Sequence, residues 1–295
     1  MSAGVSGRRE RRYREDLDRD GTGFARRIDP LAVLLSITTW VLLGAIYLLS
    51  VATTFGLSLD AAVARRAAGV GWQPTAQLLS ALLNDITTVL AVVGLGTLAV
   101  IRGRWREALG LLVIVGATGA TASGFKSLLS TADPLGGEMA RSLGAGFYPS
   151  GHAAVAMALV LGALLVAPTW RRQLILLGGA WCSIHGFVIV VNRQHHFSDV
   201  LGGFLLAAAV AGLVAIVPRL GTPAATAEVL LSGRAIVKVV AAVIVAAPLL
   251  EAMHRFGLPI ADRLHVLLIV AAVISGLAFV LIAAFGLLLD RPLRT

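Results

Sequence analysis

Three short clusters in this chain set ionisable side chains at the ends of long apolar segments: Lys126, then Pro149-Ser150-Gly151-His152, then His195-His196-Phe197-Ser198-Asp199. Charged and titrating groups are costly inside or at the rim of a membrane span, so they are functional candidates by default. His195 and Asp199 are four residues apart, on one face once a helix has begun. A carboxylate at that spacing fixes the imidazole tautomer and stabilises the imidazolium, and the imidazole can then act as a nucleophile. His152 adds a second group titrating near neutral pH, suited to protonating a departing alkoxide or phosphate. Pro149 reads as a first-turn proline, which leaves the amides of Ser150, Gly151 and His152 pointing along a positive helix end. Gly151 lets a ligand approach the backbone, and Lys126 brings a cation. Together these are the parts needed for covalent phosphate chemistry on a lipid.

The rest of the sequence says what must hold them. Of 295 residues, 57% are apolar and only 14% are charged, with a mean hydropathy of +0.86. A soluble chain of this length would carry about a quarter charged residues. The apolar residues gather into eight runs, at 32–54, 79–101, 108–126, 151–168, 173–191, 199–217, 236–250 and 265–289. Most are long enough to cross about 30 Å of hydrocarbon as helix; the seventh is short and ends near Pro248. The expected fold class is all-α, a polytopic membrane helix bundle of about eight spans.

Charge sets the orientation. The net charge is +9, carried mainly by arginine. With the N-terminus in the cytoplasm, 18 of the 25 basic residues fall on the inside, as the positive-inside rule requires. The same threading brings Lys126, Ser150 and His195 to one level on the outer face. The basic residues lack the aromatic or base-reading pattern of a nucleic-acid binder, and no nucleic-acid partner is expected. The first run follows a charge-rich tail of some 30 residues without a small-residue cleavage site, so it reads as an uncleaved anchor. Arginine-rich, Ala- and Gly-rich usage points to a GC-rich bacterial genome and hence to the plasma membrane. The lone Cys182 lies within a span and reads as a small buried hydrophobe.

Three regions are expected: a basic cytoplasmic tail over 1–30, a six-span core over 31–218, and an inner linker with an appended two-span hairpin over 219–295. Residues 56–78 read as an outer loop, with Trp72 as an interfacial anchor. The Gly-rich outer loop 127–149, which carries Asp133 and Arg141, reads as a lid or binding loop.

The clusters resemble the type-2 phosphatidic-acid phosphatase superfamily, over residues 60–215. The family pattern reads Lys-x6-Arg-Pro, then Pro-Ser-Gly-His, then Ser-Arg-x5-His-x3-Asp. The second block is complete here. The first has Lys126 but Asp133 in place of arginine, and the third keeps His195-x3-Asp199 but has Val188-Ile189 in place of Ser-Arg. The resemblance implies that His195 attacks phosphorus to form a phosphohistidine, His152 protonates the leaving group and Asp199 orients His195. It also implies that Lys126, Ser150 and the helix-end amides around Gly151 hold the phosphate oxygens, with no metal and no other cofactor. The partners would be a lipid phosphate or diphosphate and the surrounding membrane lipids. A polyprenyl phosphate, a glycerolipid and a glycolipid fit equally well.

The missing arginines matter, because a bidentate clamp on phosphate is hard to replace. Arg193, two residues before His195, and Arg141 in the loop are the candidate substitutes. The rival reading is a catalytically silent lipid-phosphate binder or scaffold of the same fold. A third, an intramembrane serine hydrolase using Ser150, His195 and Asp199, lacks the Gly-x-Ser-x-Gly elbow. His185, within the fifth run, reads as a hydrogen-bonded packing residue, and His196 as an interfacial neighbour of His195.

Overall fold

A computed structural model describes residues 29–67, 85–131, 148–216 and 262–290. Within them the chain forms eight α-helices and no strand. They are α1 (Pro30–Ile46), α2 (Thr54–Ala67), α3 (Asp85–Ile101), α4 (Trp105–Thr131), α5 (Gly151–Val166), α6 (Arg171–Val191), α7 (Phe197–Ala215) and α8 (Asp262–Leu289). Five of the described helical segments are long and apolar enough to cross a membrane: Pro30–Val51, Trp105–Leu129, Pro168–Val191, Phe197–Ala215 and His265–Leu289. Ile86–Ile101 and Gly151–Val166 are shorter apolar helices. The expected run at 236–250 lies outside the described residues, as do the basic tail, Trp72 and the inner linker.

One expected loop is a helix. Residues 54–67 coil into α2, with Gly56, Leu57, Asp60, Val63 and Ala67 buried. That spacing is an amphipathic stripe, too short and too charged to register as a span. A π-helical turn, Tyr47–Val51, ends α1, and Gly56 brings α2 hard against its Leu49 and Ser50 backbone.

The centre of the bundle is α5, twelve of whose sixteen residues are buried. It packs between α4, α6 and α7, and α7 in turn packs along α1. The α1–α7 seam is close: Ser36 donates its hydroxyl to the Ala209 carbonyl at 3.0 Å, opposite Gly212. α8 lies against α6 and α7, burying Ile274, Ala278, Ile282 and Phe285.

The C-terminal end of α5 is held by two arginines. The last carbonyls of any helix lack intrahelical donors. Here Arg104 donates to the Leu165 and Val166 carbonyls at 3.1 and 2.7 Å, and pairs with Glu107 at 3.0 Å. Arg171 donates from Nε to the Leu164 carbonyl at 3.2 Å, and also reaches the Leu289 carbonyl and Asp290. Trp105 and Trp170, exposed beside them, suit a membrane boundary. This is the end expected in the cytoplasm; the other end of α5 carries Ser150.

Candidate functional site

Ser150 caps α5. Its backbone is extended (φ −64°, ψ 117°), and its hydroxyl oxygen accepts from the Ala153 N–H at 3.3 Å. Pro149 therefore stands one residue before the cap rather than in the first turn. The Ser150 N–H is not open to a ligand, as the sequence suggested, because it donates to the Asp199 carbonyl at 2.9 Å. That bond joins the second and third clusters directly. Gly151 and His152 hold the first two helical positions, where an amide has no intrahelical acceptor. Lys126, on the penultimate turn of α4, lies over them: its Nζ is 3.4 Å from where a Cβ on Gly151 would sit.

α7 opens at His196, the N-cap residue, whose N–H donates to Asp199 Oδ2 at 2.9 Å. The same oxygen is 3.4 Å from His195 Nδ1. The side chains of His195 and Asp199 are 6% and 3% exposed, so water screens the pair little. With Nδ1 turned to the carboxylate, Nε2 is the edge directed away from it. The His152 ring stands 6.2 Å from that of His195, centroid to centroid. Lys126, Ser150, Gly151, His152, His195 and Asp199 thus converge from α4, α5 and α7.

The candidate cations of the third block do not join them in the same way. Arg193 is exposed and sits at φ 59° in the turn after α6, where its N–H and that of Gln194 reach back to the Val190 and Ile189 carbonyls at 3.0 and 3.1 Å. This is a Schellman ending, with an arginine where glycine is usual. Like His195 and Asp199, Arg193 is not part of the wall of the cavity beside Lys126 and His152. Ile189, at the position of the family arginine, is buried. Arg141 and Asp133 lie outside the described residues.

Two features carried no functional signal in the sequence. Gly202 and Gly203, one turn into α7, let the clusters meet. A Cβ on Gly203 would fall 2.6 Å from the Ser150 carbonyl oxygen and 2.9 Å from the Ala154 nitrogen, and one on Gly202 would strike the Tyr148 ring. Because backbone cannot step aside, Gly203→Ala should cost about 1–3 kcal/mol of stability by overpacking. A displacement of about 1 Å between α5 and α7 should also cut turnover by about 10²-fold. Thermal unfolding in detergent and steady-state rates would check both; wild-type values for the variant would contradict this account of the packing.

The second feature is Asp60. From α2 it accepts the Ser198 N–H at 3.2 Å and, on its other oxygen, the Ser198 hydroxyl. Burial raises its carboxyl above the ordinary range, against the opposing pull of the Ser198 bonds and of nearby His196. Asp60 lies 138 residues from its partner, and an aspartate in a supposed loop attracts no notice. The available clue was its place on the apolar stripe of α2, where a carboxylate needs a partner. Asp60→Ala strands the Ser198 donors and should destabilise by about 1–3 kcal/mol, whereas Asp60→Asn keeps an acceptor and should be milder. Equal melting temperatures for the two variants would count against the strut.

Residues 107–222 match the model of the PAP2 superfamily. Neither characterised proteins nor solved structures give a match.

Proposed function

From the match of residues 107–222 to the PAP2 superfamily, a family of phosphatases, we propose that this multi-pass membrane protein dephosphorylates a lipid phosphate or diphosphate through a phosphohistidine, at the extracytoplasmic face of the plasma membrane. The observation that carries this reading is the His195–Asp199 pair held beside His152 and the first turn of α5. In the first step His195 Nε2 attacks phosphorus, the P–O ester bond breaks, and His152 gives its proton to the leaving oxygen. Asp199 steadies the imidazole through Nδ1 as positive charge develops. Lys126 and the amides of Gly151 and His152 take the non-bridging oxygens, and the Ser150 hydroxyl still has its proton to donate. In the second step His152 accepts a proton from water, the water oxygen bonds phosphorus, and the P–N bond breaks to release phosphate. No step calls for a metal ion. Arg193 and Arg141 are the further cations proposed to close on the phosphate.

The depth of the site supports a lipid substrate. α5 has 16 residues, about 24 Å of helix at 1.5 Å per residue. With its arginine-held end at one boundary of about 30 Å of hydrocarbon, Gly151 and His152 would lie about 6 Å below the other boundary. A phosphate attached to a membrane anchor is the natural visitor at that level.

Ile189 is the observation that favours the rival, a silent lipid-phosphate binder. One experiment decides: phosphate release by purified protein from a panel of lipid phosphates, in chelator, beside His195→Ala. Release by the wild type alone is expected. Release by neither would favour the binder, and release only after magnesium or manganese is added would refute the metal-free mechanism.

A further inference from the structure

The cavity beside His152 extends beyond the space the phosphate chemistry uses. It encloses about 370 Å³, with Lys126, Gly151 and His152 at the end nearest Ser150 and Val155 and Leu159 farther along α5. From Gly151 to Leu159 is about 12 Å of helix, so the cavity follows α5 well below the phosphate-binding turn. Hydroxyls from α3 and α4 share its wall with apolar side chains.

His185 of α6 is part of that wall. It is 5% exposed, lies beside the backbone of His152 and stacks on Trp181, with centroids 6.4 Å apart and planes at 17°. Its ring approaches the His152 backbone, and among the described residues neither ring nitrogen makes a hydrogen bond of good geometry. A neutral imidazole offers one donor and one acceptor, and leaving either poorly made in a buried site carries a desolvation cost that a ligand atom can remove. The expected packing histidine is therefore a buried polar group short of well-formed bonds, in the wall of a cavity that also holds His152.

We propose that His185 is a specificity residue, hydrogen-bonding an oxygen carried by the alcohol half of the substrate close to the scissile phosphate ester. This rests on the phosphatase reading, in which the leaving oxygen departs toward His152 and the rest of the alcohol occupies the cavity past His185. An alcohol that carries an ester or hydroxyl oxygen near its phosphate, as an acylglycerol does, completes the imidazole. A polyprenol, hydrocarbon beyond its single oxygen, leaves it unpaired. Sites built to bond a polar group reject analogues lacking it more strongly than apolar pockets discriminate by size.

The test compares kcat/KM for diacylglycerol phosphate and for polyprenyl phosphate in mixed micelles. The wild type should favour the acylglycerol by about tenfold or more. His185→Phe, which keeps the stack on Trp181, should collapse that ratio through loss on the acylglycerol, and His185→Gln should restore most of it. No preference in the wild type, or a ratio unmoved in His185→Phe, would overturn the proposal. Binding of the same two lipids to His195→Ala, with and without His185→Phe, separates this idea from the one beneath it. If turnover is absent but the binding preference follows His185, the specificity residue stands and the phosphatase reading falls. If binding ignores His185, the proposal falls whether or not the enzyme turns over.

Discussion

Alanine at position 195 is expected to abolish phosphate release and, with it, any acid-labile phosphoenzyme. The neighbouring substitution, His196→Ala, should be far milder. The contrast follows from how each residue meets Asp199. His195 presents a ring nitrogen to Oδ2 at 3.4 Å, whereas His196 meets the same oxygen through its backbone N–H at 2.9 Å. Alanine at 196 keeps that N–H, and so keeps the cap that holds Asp199 in place. Alanine at 195 removes the only protein atom proposed to bond phosphorus. By comparison with other enzymes stripped of theirs, the loss should be on the order of 10⁴-fold or more. Rapid acid quench with labelled substrate, followed by the stability of the label in acid and base, reads both consequences. A phosphoenzyme that survives in His195→Ala and vanishes in His196→Ala would exchange their roles.

Lys126→Ala should bring the second largest loss, about 10³-fold in turnover. Among the described residues that line the cavity, Lys126 is the one lysine or arginine, and its ammonium sits over the first turn of α5. Both arginines of the family pattern are replaced in this chain, by Asp133 and Ile189. Of the described groups that converge on the site, Lys126 and the helix-end amides are therefore the ones placed to meet the charge on the phosphate. Lys126→Arg should recover part of the rate, since it restores charge but not the shape of the contact. Single-turnover rates on the best lipid phosphate of the panel would measure this. If Lys126→Ala lost less than about tenfold, far below the usual cost of a lost phosphate clamp, the charge would have to come from elsewhere, and Arg193 and Arg141 would be the next to replace.

What could be read from the sequence was whatever depends on local spacing. Runs of apolar residues marked the helices, because a span must satisfy its own backbone, and α1 and α3 to α8 fall on them. Lys126, the Pro-Ser-Gly-His block and His195-x3-Asp199 were legible because their chemistry shows in residue type and interval. Contacts between distant segments were not legible. No interval in the chain announces that Asp60 meets Ser198, or that Gly203 must be bare because the Ser150 carbonyl presses on it. α2 is not legible either, because hydropathy alone does not reveal a short helix half of whose surface is polar. His185 reads as a packing residue in the sequence, since residue type and position do not say whether a buried ring has found its partners. Ser150 shows a finer limit: a Pro-Ser pair fits a first turn or a cap equally well, and the bond to Asp199 selected the cap.

The arginine-held α5 makes the protein a depth gauge. Its length is set by the chain, and Arg104 and Arg171 hold one end to its neighbours; with that end at one membrane boundary, the distance from the proposed reaction centre to the opposite headgroups would follow the bilayer. In a thin membrane a headgroup phosphate would meet Gly151 and His152 with little displacement. In a thicker one the lipid must sink, or the bilayer must dimple, at fractions of a kcal/mol per Å of mismatch. Reconstituted into vesicles of graded acyl length, the protein should therefore slow as the hydrocarbon thickens, with micellar rates as the common reference. The same dependence would keep it quiet in thicker sterol-like or ordered patches and active in thin fluid ones, a control by location that requires no effector.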